Sequence, residues 1–356
     1  MNSDRKIAFL SDDNFEKLLD VLGRKGDVYI PQAFENRTGG LDYPYERRSE
    51  GKTFVYAGYR PSQPLKTFMF SGRMKVAEYP APESARSESS EKFQVIAGVA
   101  ACDLISLKSL DAVFLQDEFT DIFYKDKRDN TVLITADCSE PRETCFCTLA
   151  GNAPYPKNGF DLNLSRIASG FIIEAGSGRA EEIMNQNAQL FSPVKMEQLS
   201  ARDNNRAETT RKVEEINKDY GLSKNRHKLL EIQRECDEWY SHVRTCIECG
   251  ACLFSCPTCH CFLLYDQEGD SAEFQRVKEW DACVYAGYSK MAGGGSPRFG
   301  LMERFRHRYL HKFEYYPKNF GFEACTGCGR CVEGCMGNID MRKVFKALDQ
   351  ITVGVR

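Results

Sequence analysis

Three observations predict an α+β chain in two domains. The first 200 residues carry a strand, helix, strand pattern, a highly charged stretch follows, and eleven of the sixteen cysteines then crowd between Cys246 and Cys335. With 356 residues the chain is long enough for two domains, each burying a core. Hydrophobic residues make up 42% of it, which excludes a disordered tail. Its 48 basic and 51 acidic residues leave a net charge of −3, without the basic excess of a nucleic-acid binder, so nucleic acid is not expected as a partner. The apolar stretch Ile7-Ala8-Phe9-Leu10 is too short for a signal peptide and no run of membrane-spanning length occurs, which predicts a cytoplasmic protein with no membrane span.

In chain order, Phe15, Leu18, Leu19 and Leu22 recur at helical spacing and predict a helix over 14–22. Val28-Tyr29-Ile30-Pro31 reads as a strand stopped by proline. Residues 93–99 and 131–135 read as buried strands, with an apolar-periodic helix over 104–115 between them. A further strand at 171–175 precedes a helix over 179–191. Together these predict a mixed α/β domain over 1–200. Residues 201–221, rich in charge and poor in large apolar side chains, read as a linker or surface helix, which leaves 222–356 as the second domain. No GxGxxG pattern occurs, and Gly293-Gly294-Gly295 reads as a turn, so a nucleotide site is not indicated.

Short cysteine spacing in a chain without an export signal points to metal rather than to disulfides. Cys246, Cys249, Cys252 and Cys256 form a C-x2-C-x2-C-x3-C run followed by Pro257, and Cys325, Cys328, Cys331 and Cys335 repeat it, with Met336 in place of the proline. A [4Fe–4S] cube needs four thiolates at its corners; three come from one tight loop and the fourth from elsewhere, and in two-cluster ferredoxins the fourth cysteine of each run ligates the other cluster. One cluster is therefore assigned to Cys246, Cys249, Cys252 and Cys335, and its partner to Cys325, Cys328, Cys331 and Cys256. Zinc held by paired C-x2-C motifs is the competing reading, but two matching four-cysteine runs exceed its need. The long stretch between Cys256 and Cys325 reads as helices, which predicts a helical two-cluster ferredoxin-like domain with an insertion. Within it, residues 304–313 place Phe305, Tyr309 and Phe313 on one face and basic groups on the other, a face read as solvated, or more sharply as a docking patch for an acidic electron carrier.

These runs, together with Cys256-Pro257-Thr258-Cys259-His260-Cys261-Phe262, Trp280-Asp281-Ala282-Cys283, Met291-Ala292-Gly293-Gly294, Arg308-Tyr309-Leu310-His311-Lys312, Ala101-Cys102-Asp103-Leu104 and the patch from Cys138 to Cys147, resemble the iron–sulfur component shared by the anaerobic sulfite reductases and the cytosolic sulfhydrogenases, in the latter of which it is the beta subunit. The resemblance covers most of the chain. It implies a protein that passes electrons between a flavin- and NAD(P)-binding diaphorase subunit, or ferredoxin, and a catalytic reductase or hydrogenase subunit.

Cys102, Cys138, Cys145 and Cys147 remain. Cys102 and Cys138 each follow an expected strand, so adjacent strand ends bring them together, and four converging thiolates suit a third [4Fe–4S] cluster, against the reading of buried core thiols. Cys259, Cys261 and Cys283 are three, and read as structural rather than as zinc ligands or as a set completed by His260; Cys236 reads as structural as well. The five histidines form no HExxH pair and read as core or surface residues. Two functions fit: an electron-transfer subunit that needs partners for turnover, or a redox enzyme acting through an open-site cluster or reactive C-x-C thiols.

Overall fold

The computed structural model describes residues 5–36, 39–80, 92–269 and 274–351. The chain divides into two units. One holds residues 1–65, 89–216 and 326–328, the other 66–88, 217–325 and 329–356. Neither unit is continuous in sequence, so the division differs from the sequential domains 1–200 and 222–356 that composition suggests.

A seven-stranded sheet forms the first unit. Its strands are β1 (Ile7–Leu10), β2 (Asp27–Pro31), β3 (Tyr45–Arg47), β4 (Gln94–Ala100), β5 (Thr131–Ala136), β6 (Leu162–Ile167) and β7 (Gly170–Ala175), in the order β1-β7-β6-β5-β4-β2-β3. The four strands β2, β4, β5 and β6 run parallel, and the pairs β1/β7, β7/β6 and β2/β3 are antiparallel. Every residue of β5 is buried, as expected of a parallel strand covered on both faces. Helix α1 (Asp12–Gly23) starts where Ser11 Oγ accepts from the Asn14 amide, and it buries Phe15, Leu18, Leu19 and Leu22 against the sheet. Helix α2 (Ala101–Phe114) leaves the end of β4 directly, and α3 (Gly178–Gln186) follows β7.

Helix α4 (Met196–Ile216) covers most of the charged stretch. Its charge is not merely solvated. Arg206 donates from Nε to Asp137 at 2.6 Å and from Nη2 to Glu174 at 2.9 Å, Arg202 reaches Glu174 at 2.8 Å, and Val213 is buried. A helix pinned by buried ion pairs reads in sequence as a linker or surface helix, because its anchors are polar.

The second unit contains a three-stranded antiparallel sheet, in the order 262–268, 274–280, 73–79, which corrects the all-helical reading of the insertion. Phe262, Leu263 and Leu264 are consecutive and all exposed, so the period-2 signal of a strand is missing there. Around the sheet lie short helices, then α5 (Leu301–Leu310), a π-helical turn over His311–Tyr315, and α6 (Met341–Gln350). The fully buried Trp239 packs edge-on to Tyr309 at 5.3 Å between ring centroids, and Phe345 meets Tyr309 at 5.6 Å and Phe313 at 4.9 Å. This is the apolar face the spacing of Phe305, Tyr309 and Phe313 foretells. No helix among the described residues is long and apolar enough to cross a membrane.

Candidate metal centres

In the first unit the site forms at the carboxyl ends of β4 and β5, the edge at which open α/β sheets bind ligands. Cys102 sits in the first turn of α2, just past β4, and Cys138 lies two residues past β5. Cys145 and Cys147 complete the ring, with Cys147 leading into a 3-10 turn over Thr148–Ala150. All four line one pocket with Arg60, and Cys328 lines it too. The 326–328 segment is held there by the Phe146 amide, which donates to the Gly327 carbonyl at 2.8 Å, and by Arg60 Nε, which donates to the Cys328 carbonyl. Asp137, next to Cys138, is fixed by Asn163, Ser165 and Arg206, and Tyr56 donates to its carbonyl at 2.5 Å. Burial, reinforced by the neighbouring thiols, pushes the Cys138 thiol well up and Cys147 up to about 12. These are poor free nucleophiles at neutral pH, and metal must displace their protons on binding.

The second unit holds two further pockets. Cys246, Cys249, Cys252 and Cys335 line one of them, together with Cys331. Each cysteine run turns in the same way: Gly250 and Gly329, both in the left-handed region, open the short helices Ala251–Phe254 and Arg330–Glu333, which carry Cys252 and Cys331. Cys256, the last thiol of its run, is outside that pocket. Its Sγ accepts from Lys312 Nζ at 3.3 Å and lies 3.2 Å from Thr258 Oγ1, and Lys312 also donates to the Ala324 carbonyl, next to Cys325, at 3.0 Å. The third pocket takes in Cys259, Cys261, Cys283, His260, His311, Arg308 and Lys312. A hydrogen bond with Cys283 holds Cys261 down to about 7, and burial keeps His260 down to about 4. Cys236 stands apart, half-buried and pushed up by burial.

The basic face of 304–313 is thus not a solvated or docking surface. Arg304, Arg308 and Lys312 are buried and turn toward the cysteines. Lys66 is buried beside them, donating to the Leu253 and Cys259 carbonyls at 3.0 Å each with its ammonium 4.3 Å from the Trp280 ring centre. Among the described residues Arg308 Nε and Nη2 have no hydrogen-bond partner. Buried cations without carboxylate partners are costly unless an anion joins them. Iron–sulfur cubes with four thiolates are anionic, so the pockets fit the group that the cysteine spacing implies. Among the described residues no three His, Cys, Asp or Glu side chains converge as a single-ion site requires. The i, i+4 spacing of Arg304, Arg308 and Lys312 in the sequence carries this signal, but their charge alone suggests solvent.

Residues 245–339 match the 4Fe-4S dicluster domain family. Over 349 residues the chain is 31% identical to the sulfhydrogenase 2 subunit beta of Pyrococcus furiosus, an alignment spanning 97% of this chain and 98% of that one. The chain belongs to the sulfhydrogenase beta-subunit family. As a sulfhydrogenase beta-subunit homologue with a dicluster domain, it carries [4Fe–4S] clusters and has an iron–sulfur electron-transfer role. Both cysteine runs of this beta-subunit homologue fall inside the matched region, whereas Cys102, Cys138, Cys145 and Cys147 precede it.

Proposed function

We propose that the protein is the electron relay of a multi-subunit oxidoreductase, carrying two [4Fe–4S] clusters in its ferredoxin-like part and a third in the N-terminal unit. The first cluster takes Cys246, Cys249, Cys252 and Cys335, the second Cys325, Cys328, Cys331 and Cys256, and the third Cys102, Cys138, Cys145 and Cys147. Its partners are a flavin- and NAD(P)-binding subunit, or ferredoxin, on one side and a hydrogenase or sulfite-reducing subunit on the other. The subunit name of the Pyrococcus relative supports an assembly of this kind.

The observation that carries the reading is the grouping of Cys335 with Cys246, Cys249 and Cys252 while Cys256 turns to Lys312. Although Cys331 lines the same pocket, this placement supports the exchange of fourth cysteines that a two-cluster module needs. The clusters supply one-electron transfer. What the chain does is hold their thiolates and set their charge environment through the buried Arg308, Lys312 and Lys66.

Iron and sulfide analysis of the anaerobically purified full chain tests the reading. About twelve of each per chain are expected for three four-iron cubes, and about eight would remove the third. The loaded chain should accept electrons from dithionite without turning over hydrogen, sulfite or NAD(P)H alone. Turnover by the isolated chain would replace the relay with the enzyme reading, for which Cys261, held down by its hydrogen bond with Cys283, is the candidate thiol outside the proposed ligand sets.

A further inference from the structure

We propose that Arg308, Lys312 and Lys66 make the two clusters of the dicluster module unequal, so that the one bound by Cys256 is reduced first and is the resting place of the electron. The inference rests on the ligand sets proposed above. Arg308 lies between the two sets: it lines the pocket of Cys246, Cys249, Cys252 and Cys335 as well as that of Cys259, and both Cys252 and Cys331 feel its charge. It is 6% exposed and makes no ion pair among the described residues. Its charge is shared.

Lys312 is not shared. At 4% exposure its ammonium touches Cys256 Sγ, Thr258 Oγ1 at 2.8 Å and the Ala324 carbonyl, with no carboxylate in contact among the described residues. Lys66, bound to two carbonyls and facing an indole ring, adds a second buried cation near Cys256 and Cys259. On the other side the additional cation is Arg304, and Glu248 neutralises it through a 2.8 Å contact. A cluster gains one negative charge when it takes an electron, so a nearby buried cation stabilises the reduced form more than the oxidised one. A hydrogen bond to a ligand sulfur acts in the same direction. Each side has such a bond, Lys312 on Cys256 and the Ile339 amide on Cys335, both at 3.3 Å, so the buried cations make the difference and the Cys256 side should have the more positive potential.

The test is a potentiometric titration of the anaerobic full chain with dithionite, followed by EPR, after iron and sulfide have been counted. Of the two signals that Cys256→Ser and Cys249→Ser abolish, the one lost in Cys256→Ser should appear first on reduction and be kept in Cys249→Ser. In Lys312→Met its midpoint should move negative while the other cluster stays in place, and Arg308→Gln should move both. An iron-replete Lys312→Met with unchanged midpoints overturns the proposal, as does a first-reduced signal that disappears in Cys249→Ser instead. If Lys312→Met fails to retain iron, Lys66→Met gives the same readout, and an unmoved midpoint there overturns it equally. A wild-type chain with too little iron for two cubes would defeat the ligand sets rather than the asymmetry.

Discussion

Thr245 and Gly337 clasp the outer ends of the two cysteine runs: Thr245 Oγ1 donates to the Gly337 carbonyl at 2.7 Å. One residue of the pair precedes Cys246 and the other follows Cys335 by two positions. The approach is so close that a Cβ on Gly337 would lie 2.2 Å from the Thr245 carbonyl oxygen. Gly337→Ala should therefore push Cys335 away from Cys246, Cys249 and Cys252. The expected result is selective loss of one cluster, about four irons per chain, with the remainder kept. Thr245→Val, which removes only the hydroxyl, should cost about 1 kcal/mol of stability and spare the iron.

Crossed ligation separates two variants that simple pairing would make equivalent. Cys335→Ser should damage the cluster of Cys246, Cys249 and Cys252, and Cys256→Ser the cluster of Cys325, Cys328 and Cys331. EPR of each variant checks this. Damage confined to the substituted residue's own run would exclude the exchange.

Gly327 tests the N-terminal site without touching a thiol. It lies at φ +70, and a Cβ there would stand 2.5 Å from Cys147 Cα and from the Phe146 carbonyl oxygen. Gly327→Ala should thus disturb Cys147 and lower iron by about four per chain, as Cys145→Ser should directly. Unchanged iron in Cys145→Ser would leave the four thiols structural.

The anchor of α4 is predicted to be worth more than an ordinary surface ion pair. Arg206→Met would leave Asp137 buried without its cation, a change that costs about 3–5 kcal/mol when one partner of a buried pair is removed. Anaerobic denaturant titration of the full chain should show the loss in the first unit's transition. A shift below about 1 kcal/mol would mean that water replaces the guanidinium.

Acid should loosen the second unit through two stacked histidines. His307 and His311 rings lie 5.9 Å apart, and burial holds them neutral, His307 down to about 4 and His311 to about 3. Their folded values lie below the unfolded value of about 6.5, so the folded state binds fewer protons. Their contribution to stability is complete above about 6.5 and fades as pH falls toward 4 and 3. A His307→Phe, His311→Phe double variant should lose less stability over that window, measured by intrinsic fluorescence during acid titration.

How far the sequence reveals this molecule depends on whether a feature is local. Helix α1 and strands β2, β4, β5 and β7 are legible because period and burial coincide over a few residues, as with Phe15, Leu18, Leu19 and Leu22. The two cysteine runs are legible because cluster chemistry fixes their spacing. What escapes is long-range. Strand 73–79 pairs with 274–280, nearly two hundred residues later, and no local pattern announces that partner. The basic stripe of 304–313 is visible in the sequence but reads as solvent-facing, because charge suggests water until a buried anion is known to face it. Likewise Arg202 and Arg206 make a pinned helix read as a linker or surface helix.

Membership of residues 326–328 in the first unit has a consequence for synthesis. The ribosome delivers residues 1–216 long before the segment that supplies Gly327 and Cys328, so the first unit cannot finish folding as an N-terminal domain commonly does, while the rest is still being made. Its last wall arrives only after the first cysteine run is complete and half of the second has been made. For the proposed third cluster this places iron insertion at the end of translation or later, and a chain cut short after α4 would present its cysteines without that wall.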